Sequence, residues 1–199
     1  MKSIAVKGSS RAIAERSSEQ AKAIKEIRNN EGIPCVIYGG GTNEHFTVLE
    51  SAVRKLIYTP EIFSVELNLD GVDKKAIVKD IQFHPVTDKI LHIDFYEINE
   101  TEPIVMEVPI KLNGLAKGVR AGGKLQSQMR KLKVKALYTH IPEKLDIDVT
   151  NLDLGKTIKV GDVAFENLEI LNAKAAVICA VRLTRAARGL AGAAAAASK

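Results

Sequence analysis

The sequence contains no tryptophan, and only two cysteines and six prolines among its 199 residues. The two cysteines, Cys35 and Cys179, lie far apart between apolar neighbours, and no CxxC or Cys/His spacing suggests zinc. Buried free thiols in a reducing compartment are expected. Long apolar runs are missing too. The longest, Ala175 to Val181, is far too short to span a bilayer. The first residues, Met1-Lys2-Ser3-Ile4-Ala5-Val6-Lys7, have no apolar core of the secretory kind, which makes the cytoplasm the expected location. Acid is absent from Val108 to Pro142, a stretch that carries Lys111, Lys117, Arg120, Lys124, Arg130, Lys131, Lys133 and Lys135. The formal charge is +5 and the pI about 9.1. From Met1 to Arg28 there are seven Lys or Arg against three Glu. Segregated positive charge of this kind fits a polyanionic partner, and a solvated basic surface is the plainer alternative.

What is present reads as short strands punctuated by glycine, with few helices. Ile4 and Val6 begin a first strand, followed by a polar stretch from Gly8 to Ser18. Ser17 and Gln20 have the spacing of a capping box, opening a helix to about Asn30 that is stopped by Gly32. Ala23, Ile24 and Ile27 share one face of it, and Lys22, Lys25 and Arg28 the other. Ile33 to Tyr38 is a strand, then Gly39-Gly40-Gly41 a turn, then Phe46 and Val48 a short strand. Leu49, Ala52, Val53, Leu56 and Ile57 repeat with helical period up to Pro60. Strands follow over Ile62 to Leu69, Lys74 to His84 and Lys89 to Ile98, the first two joined at Asp70-Gly71. In the last strand Leu91, Ile93 and Phe95 point one way, and His92, Asp94 and Tyr96 the other. Residues 99–103 read as a linker. Strands are expected at Ile104–Leu112, Lys131–Tyr138, Lys144–Val149 and Ala175–Leu183, with a long glycine-punctuated loop after the first of these (Gly114, Gly118, Gly122, Gly123). The fold class is therefore mainly β with a few helices (α+β). The expected domains are 1–99 and 100–187, with a disordered Ala-rich tail over 188–199.

Two local constellations carry more than composition. One is Ile33-Pro34-Cys35-Val36-Ile37-Tyr38-Gly39-Gly40. The other is Asp80-Ile81-Gln82-Phe83-His84-Pro85, followed by Leu91-His92-Ile93-Asp94-Phe95-Tyr96. In this order they resemble the bacterial 5S rRNA-binding ribosomal protein family, the twenty-fifth protein of the large subunit, also called Ctc or general stress protein. The resemblance runs from Met1 to about Arg188. The second half, with Met106-Glu107-Val108-Pro109-Ile110 and Arg130-Lys131-Leu132-Lys133-Val134, is similar to the C-terminal domain of the longer members.

The resemblance implies an N-terminal β-barrel of the six-stranded type with added helices that binds 5S rRNA, and a second, mainly β domain. It implies a place on the ribosome in the cytoplasm, with 23S rRNA and ribosomal proteins as possible neighbours, and no cofactor, metal, membrane or small-molecule substrate. By the same resemblance, RNA-binding roles fall to Arg11, Arg16, Lys25, Arg28, Tyr38, Lys79, Gln82, His92 and Asp94. The chemistry is consistent: Lys and Arg grip phosphates, while a carboxylate can only accept from a base edge or a 2′-hydroxyl. Lys79 shares a strand phase with Ile77, Ile81 and Phe83, so it reaches RNA only if a bulge re-aims it. Where the family usually shows Gly-Lys before its basic helix, this chain has Glu15-Arg16 and a longer stretch up to Lys25.

The competing readings are weaker. His92 and Asp94 at i, i+2 could be an acid–base pair or two metal ligands, but no third ligand or nucleophile stands near them in sequence. The Gly39-Gly40-Gly41 run lacks the Lys-Ser/Thr of a phosphate loop. A stress-response protein or protein-binding module acting off the ribosome, and a detached anticodon-binding barrel of a tRNA synthetase, are further alternatives. His84 before Pro85 is expected to organise a turn.

Overall fold

The computed structural model describes residues 2–12, 17–41, 43–99 and 101–184, the side chain of Ser17 excepted. The chain divides into two compact units, residues 1–104 with 137–143, and residues 105–136 with 144–199. The expected Ser17 cap, Arg16 and the Ala-rich tail lie outside the described residues.

The first unit is a closed barrel. Its elements are β1 (Lys2–Ser10), α1 (Ser17–Asn29), β2 (Gly32–Tyr38), β3 (Glu44–Leu49), α2 (Glu50–Tyr58), β4 (Phe63–Leu69), β5 (Val72–Phe83) and β6 (Ile90–Glu97). Around the barrel the order is β1-β3-β2-β6-β5-β4, and β4 returns to pair in parallel with β1. Alternation along each strand fills the interior with Val6, Ile33, Cys35, Ile37, Phe46, Val48, Val65, Leu67, Leu69, Ile93 and Phe95. The rings of Phe46 and Phe95 meet there, with centroids 5.6 Å apart. The β4–β5 hairpin turns at Asp70-Gly71, both with positive φ (49° and 95°), as a two-residue hairpin of the twist-matching kind requires. His84 organises the β5–β6 turn: its Nδ1 accepts from the backbone N–H groups of Val86 (3.3 Å) and Thr87 (3.2 Å).

Three departures from the sequence expectations have physical causes. Strand β1 runs on through Gly8-Ser9-Ser10, read as polar loop, because these residues pair with Val48, Thr47 and Phe46 of β3. Only glycine fits at position 8, where a Cβ would lie 2.8 Å from Phe46 Cδ2 and 2.9 Å from Leu69 Cδ2. On α2 the buried stripe is Val53 and Leu56 with Ile57 partly covered; Leu49 precedes the helix as a 59% exposed cap residue, and Ala52 is exposed as well. The third departure concerns the second unit.

That unit holds a four-stranded sheet ordered β10-β7-β9-β12 and a three-stranded sheet ordered β11-β13-β8. The strands are β7 (Ile104–Asn113), β8 (Lys124–Ser127), β9 (Lys131–Ala136), β10 (Leu145–Asp148), β11 (Thr157–Lys159), β12 (Glu169–Ile170) and β13 (Val177–Arg182). The glycine-punctuated loop contains a helical turn, α3 (Lys117–Arg120), and the whole of β8. β11 and β12 have only three and two residues, too few to display a period, and β8 lies inside the glycine-punctuated stretch, which is why these three escape a sequence reading. Ala116, Val149, Leu152, Cys179 and Val181 form a core in this unit. Among the described residues the chain is thus mainly β with three α-helices, as the pattern of short strands in its sequence led one to expect.

The packing makes two outcomes testable. Helix α1 sits over Gly32, where a Cβ would lie 2.8 Å from Ile27 Cγ2 and 3.0 Å from the Ile27 carbonyl oxygen. Gly32→Ala should therefore cost about 1–3 kcal/mol, measured by urea denaturation, with α1 losing hydrogen-exchange protection first. Cys35 is wholly buried, and burial pushes its thiol up to about 12. It should resist a thiol reagent at pH 8 in the native protein and react fully in denaturant.

Candidate nucleic-acid interface

The barrel strands that bury Ile93 and Phe95 leave a polar face outside. On β6 that face carries His92, Asp94 and Tyr96. The register sets their neighbours. Asp94 lies opposite Val36 of β2 on one side and Asp80 of β5 on the other. His92 lies opposite Gln82, and Tyr96 opposite both Tyr38 and Ile77. One strand further, His45 of β3 is opposite Val36. Four strands thus place Tyr38, His45, Asp80, Gln82, His92 and Asp94 on one surface, held by a continuous ladder.

The side chains are partly ordered by each other. His92 Nδ1 donates to Asp94 Oδ1 at 2.6 Å, both groups about a quarter exposed. A carboxylate only accepts, so the Nδ1 carries the proton, and the ring is held with Nε2 as its second polar atom. Tyr38 and Tyr96 meet edge to face, centroids 5.7 Å apart. Burial, then the charges of Asp94 and Asp80, raise the Tyr38 phenol above its ordinary value, so it stays a hydroxyl donor. Burial, then Arg11 and His92, lower His45 below the ordinary histidine value and favour its neutral ring.

The bulge that Lys79 needs is present. Along β5, Val78 pairs with Phe95 and the next pair is Asp80 with Asp94, which leaves Lys79 as the extra residue. Before the bulge Ala76 and Val78 turn inward; after it Ile81 does. The phase reverses, so Asp80 and Gln82 join the outer face and Lys79 is exposed at the switch.

The cations frame this face unequally. Lys25 is exposed on α1. Arg28, also on α1, is already engaged: its Nη2 donates to the Leu91 carbonyl at 2.9 Å and ties the helix to β6. Arg11 follows β1, donates its backbone N–H to the His45 carbonyl at 2.8 Å, and has a buried Nε with no partner among the described residues. Of the nine residues singled out in the sequence, Tyr38, Lys79, Gln82, His92 and Asp94 fall on β2, β5 and β6; Arg11, Lys25 and Arg28 lie on flanking segments; Arg16 is outside the described residues. His45 and Asp80 were missed. The alternation of Phe46 and Val48 pointed His45 outward, whereas Asp80 could be placed only once the bulge was known.

Among the described residues no group of three or more His, Cys, Asp or Glu is placed to hold a metal ion, and no helix is long and apolar enough to cross a membrane.

Residues 12–95 match the family model described as the ribosomal L25p family, and residues 103–185 match that of the ribosomal protein TL5 C-terminal domain. Large ribosomal subunit protein bL25 of Bacteroides fragilis is 66% identical over 194 residues, covering 98% of this chain and 99% of that protein. The protein of the same name from Bacteroides thetaiotaomicron is 65% identical over the same length, and that from Porphyromonas gingivalis 62% identical over 172 residues, 85% of this chain and 90% of its own. The two β units and these matches define a ribosomal protein, not an enzyme. The chain belongs to the ribosomal L25p family, in its long, two-domain form.

The register also opposes two acids. Asp80 and Asp94 stand directly across from each other, and like charges so placed repel. Asp80→Asn should raise stability by about 0.2–1 kcal/mol at low salt, with the gain shrinking as salt is added in a thermal-melt series.

Proposed function

We propose that this protein is a structural component of the bacterial large ribosomal subunit, located on cytoplasmic ribosomes, and that residues 1–99 bind 5S rRNA through the outer face of β2, β5 and β6. Residues 100–187 form the second domain, for which 23S rRNA and neighbouring ribosomal proteins are the candidate contacts. The relatives' shared name, large ribosomal subunit protein, supports the first part of this reading. The observation that carries the second is the fixed His92–Asp94 pair, set in a row with Gln82 and beside Tyr38 on a rigid barrel wall.

The chemistry divides by charge. Asp94 repels phosphate and accepts from an exocyclic amine, a guanine edge or a 2′-hydroxyl. His92, oriented by Asp94, adds its Nε2 as a polar group at a fixed place. Gln82 both donates and accepts, and Tyr38 supplies a hydroxyl and a ring edge. Such groups read one folded RNA shape and give discrimination. Arg11, Arg16, Lys25, Lys79 and the remaining donors of Arg28 neutralise backbone phosphates, giving affinity that falls with salt.

The two roles separate experimentally in a filter-binding titration across salt concentrations, with 5S rRNA and a scrambled RNA of equal length. Asp94→Ala should lower the preference for 5S rRNA by roughly tenfold or more and leave the salt slope unchanged. Lys25→Ala should weaken both RNAs alike and flatten the slope by about 0.7–0.9. Equal losses on both RNAs with Asp94→Ala would refute base readout by this face.

A further inference from the structure

The acid-free stretch separates into two groups in the second unit. On β9, Lys131 and Lys133 each lie 3.9 Å from Glu107, and Lys135 lies 3.9 Å from Glu169. Their charge is partly answered within the chain. Lys117, Arg120 and Lys124 behave differently. All three are exposed, as is Arg182, and none of the four forms an ion pair among the described residues.

Backbone packing brings this second group together. A Cβ at Gly118 would lie 2.6 Å from the Leu154 nitrogen, and one at Gly123 would lie 2.5 Å from Leu154 Cδ2 and 2.6 Å from Val181 Cγ1. The two glycines let the loop lie flat against residues 153–154 and β13. Lys117 N–H donates to the Thr150 carbonyl (3.1 Å), Gly118 N–H to Leu152 (2.9 Å) and Gly123 N–H to Gly118 (2.8 Å). The loop enters β8 with Lys124 directly opposite Arg182 of β13. On the other side of β13, the Lys156 carbonyl accepts from the Val181 N–H at 3.0 Å. Nearby acids do not answer this group: Asp148 accepts from Thr150, Asp162 accepts from the Lys159 N–H, and Asp153 forms no ion pair among the described residues.

A directly opposed Lys–Arg pair costs stability in the free chain. Here it is fixed by the ladder and reinforced by Arg120 and Lys117 on the adjoining turn. An array of phosphates relieves that repulsion on binding, because each contact neutralises a cation and releases condensed counterions. We infer that the edge formed by Lys117, Arg120, Lys124 and Arg182 is a second RNA-binding surface, which takes the sugar–phosphate backbone of RNA without reading its sequence. An RNA partner is favoured over an acidic protein because the unit matches a ribosomal protein domain and Lys124 and Arg182 are paired at the exposed edge of the β11-β13-β8 sheet. This surface lies wholly in the second unit and does not depend on the 5S rRNA reading.

The test uses the full chain and an RNA duplex of about 20 base pairs, unrelated in sequence to 5S rRNA, titrated across salt. Arg120→Gln/Lys124→Gln/Arg182→Gln should weaken duplex binding by roughly tenfold near 0.1 M salt and flatten the salt slope by about 2–3. Lys131→Gln/Lys133→Gln should have a smaller effect. Lys124→Glu, which sets opposite charges across the β8–β13 pair, should melt no lower than the parent yet bind the duplex more weakly. Asp94→Ala should leave duplex binding intact, which keeps the two surfaces distinguishable. Unchanged affinity and slope in the triple variant, or losses matched by the β9 pair, would overturn the proposal.

Discussion

Strand β6 can bury Ile93 and Phe95 only by presenting His92 and Asp94 on the opposite face. That constraint, the two-residue period of a strand in a closed barrel, sets the geometry of the whole interface. Both inner residues are wholly buried and Phe95 meets Phe46 across the interior, so the strand cannot slip without expelling its core. The outer residues inherit the same rigidity. The proposed readout of one RNA shape requires donors and acceptors held in place before binding, and a strand ladder holds them so.

The β5–β6 ladder shifts register twice, at Lys79 and again between Gln82 and Phe83, and the shift at Lys79 sets the outer face. By inserting one residue, β5 turns Asp80 and Gln82 toward the face that β6 already presents, and still returns Ile81 to the core. The resulting Asp80–Asp94 opposition is unfavourable in the free chain. So is the Lys124–Arg182 opposition in the second unit. Both sit on outward faces, where chain folding alone gains nothing from them, and each belongs to a surface proposed above to meet RNA.

Legibility in the sequence followed the length of each pattern. The alternation around His92 and Asp94, the Asp70-Gly71 turn, the His84 turn and the helix at 50–58 could be read directly, because each is a local rule with a local signature. The continuation of β1 through Gly8-Ser9-Ser10 could not, since no side chain there repeats; β3 decides it. Arg28 read as a cation on the basic face of a helix, expected to contact phosphate. In the fold it reaches across to the Leu91 carbonyl, a contact separated by 63 residues that no helical pattern encodes. His45 was available to the same alternation logic that found His92. The short strands of the second unit and the clustering of Lys124 with Arg182 required the tertiary register.

Whether the outer face of β2, β5 and β6 lies against 5S rRNA is tested most directly in assembled large subunits, by a photoreactive amino acid at position 82, which is exposed beside His92. Crosslinks to 5S rRNA are the predicted result. Crosslinks confined to 23S rRNA or to protein would contradict it.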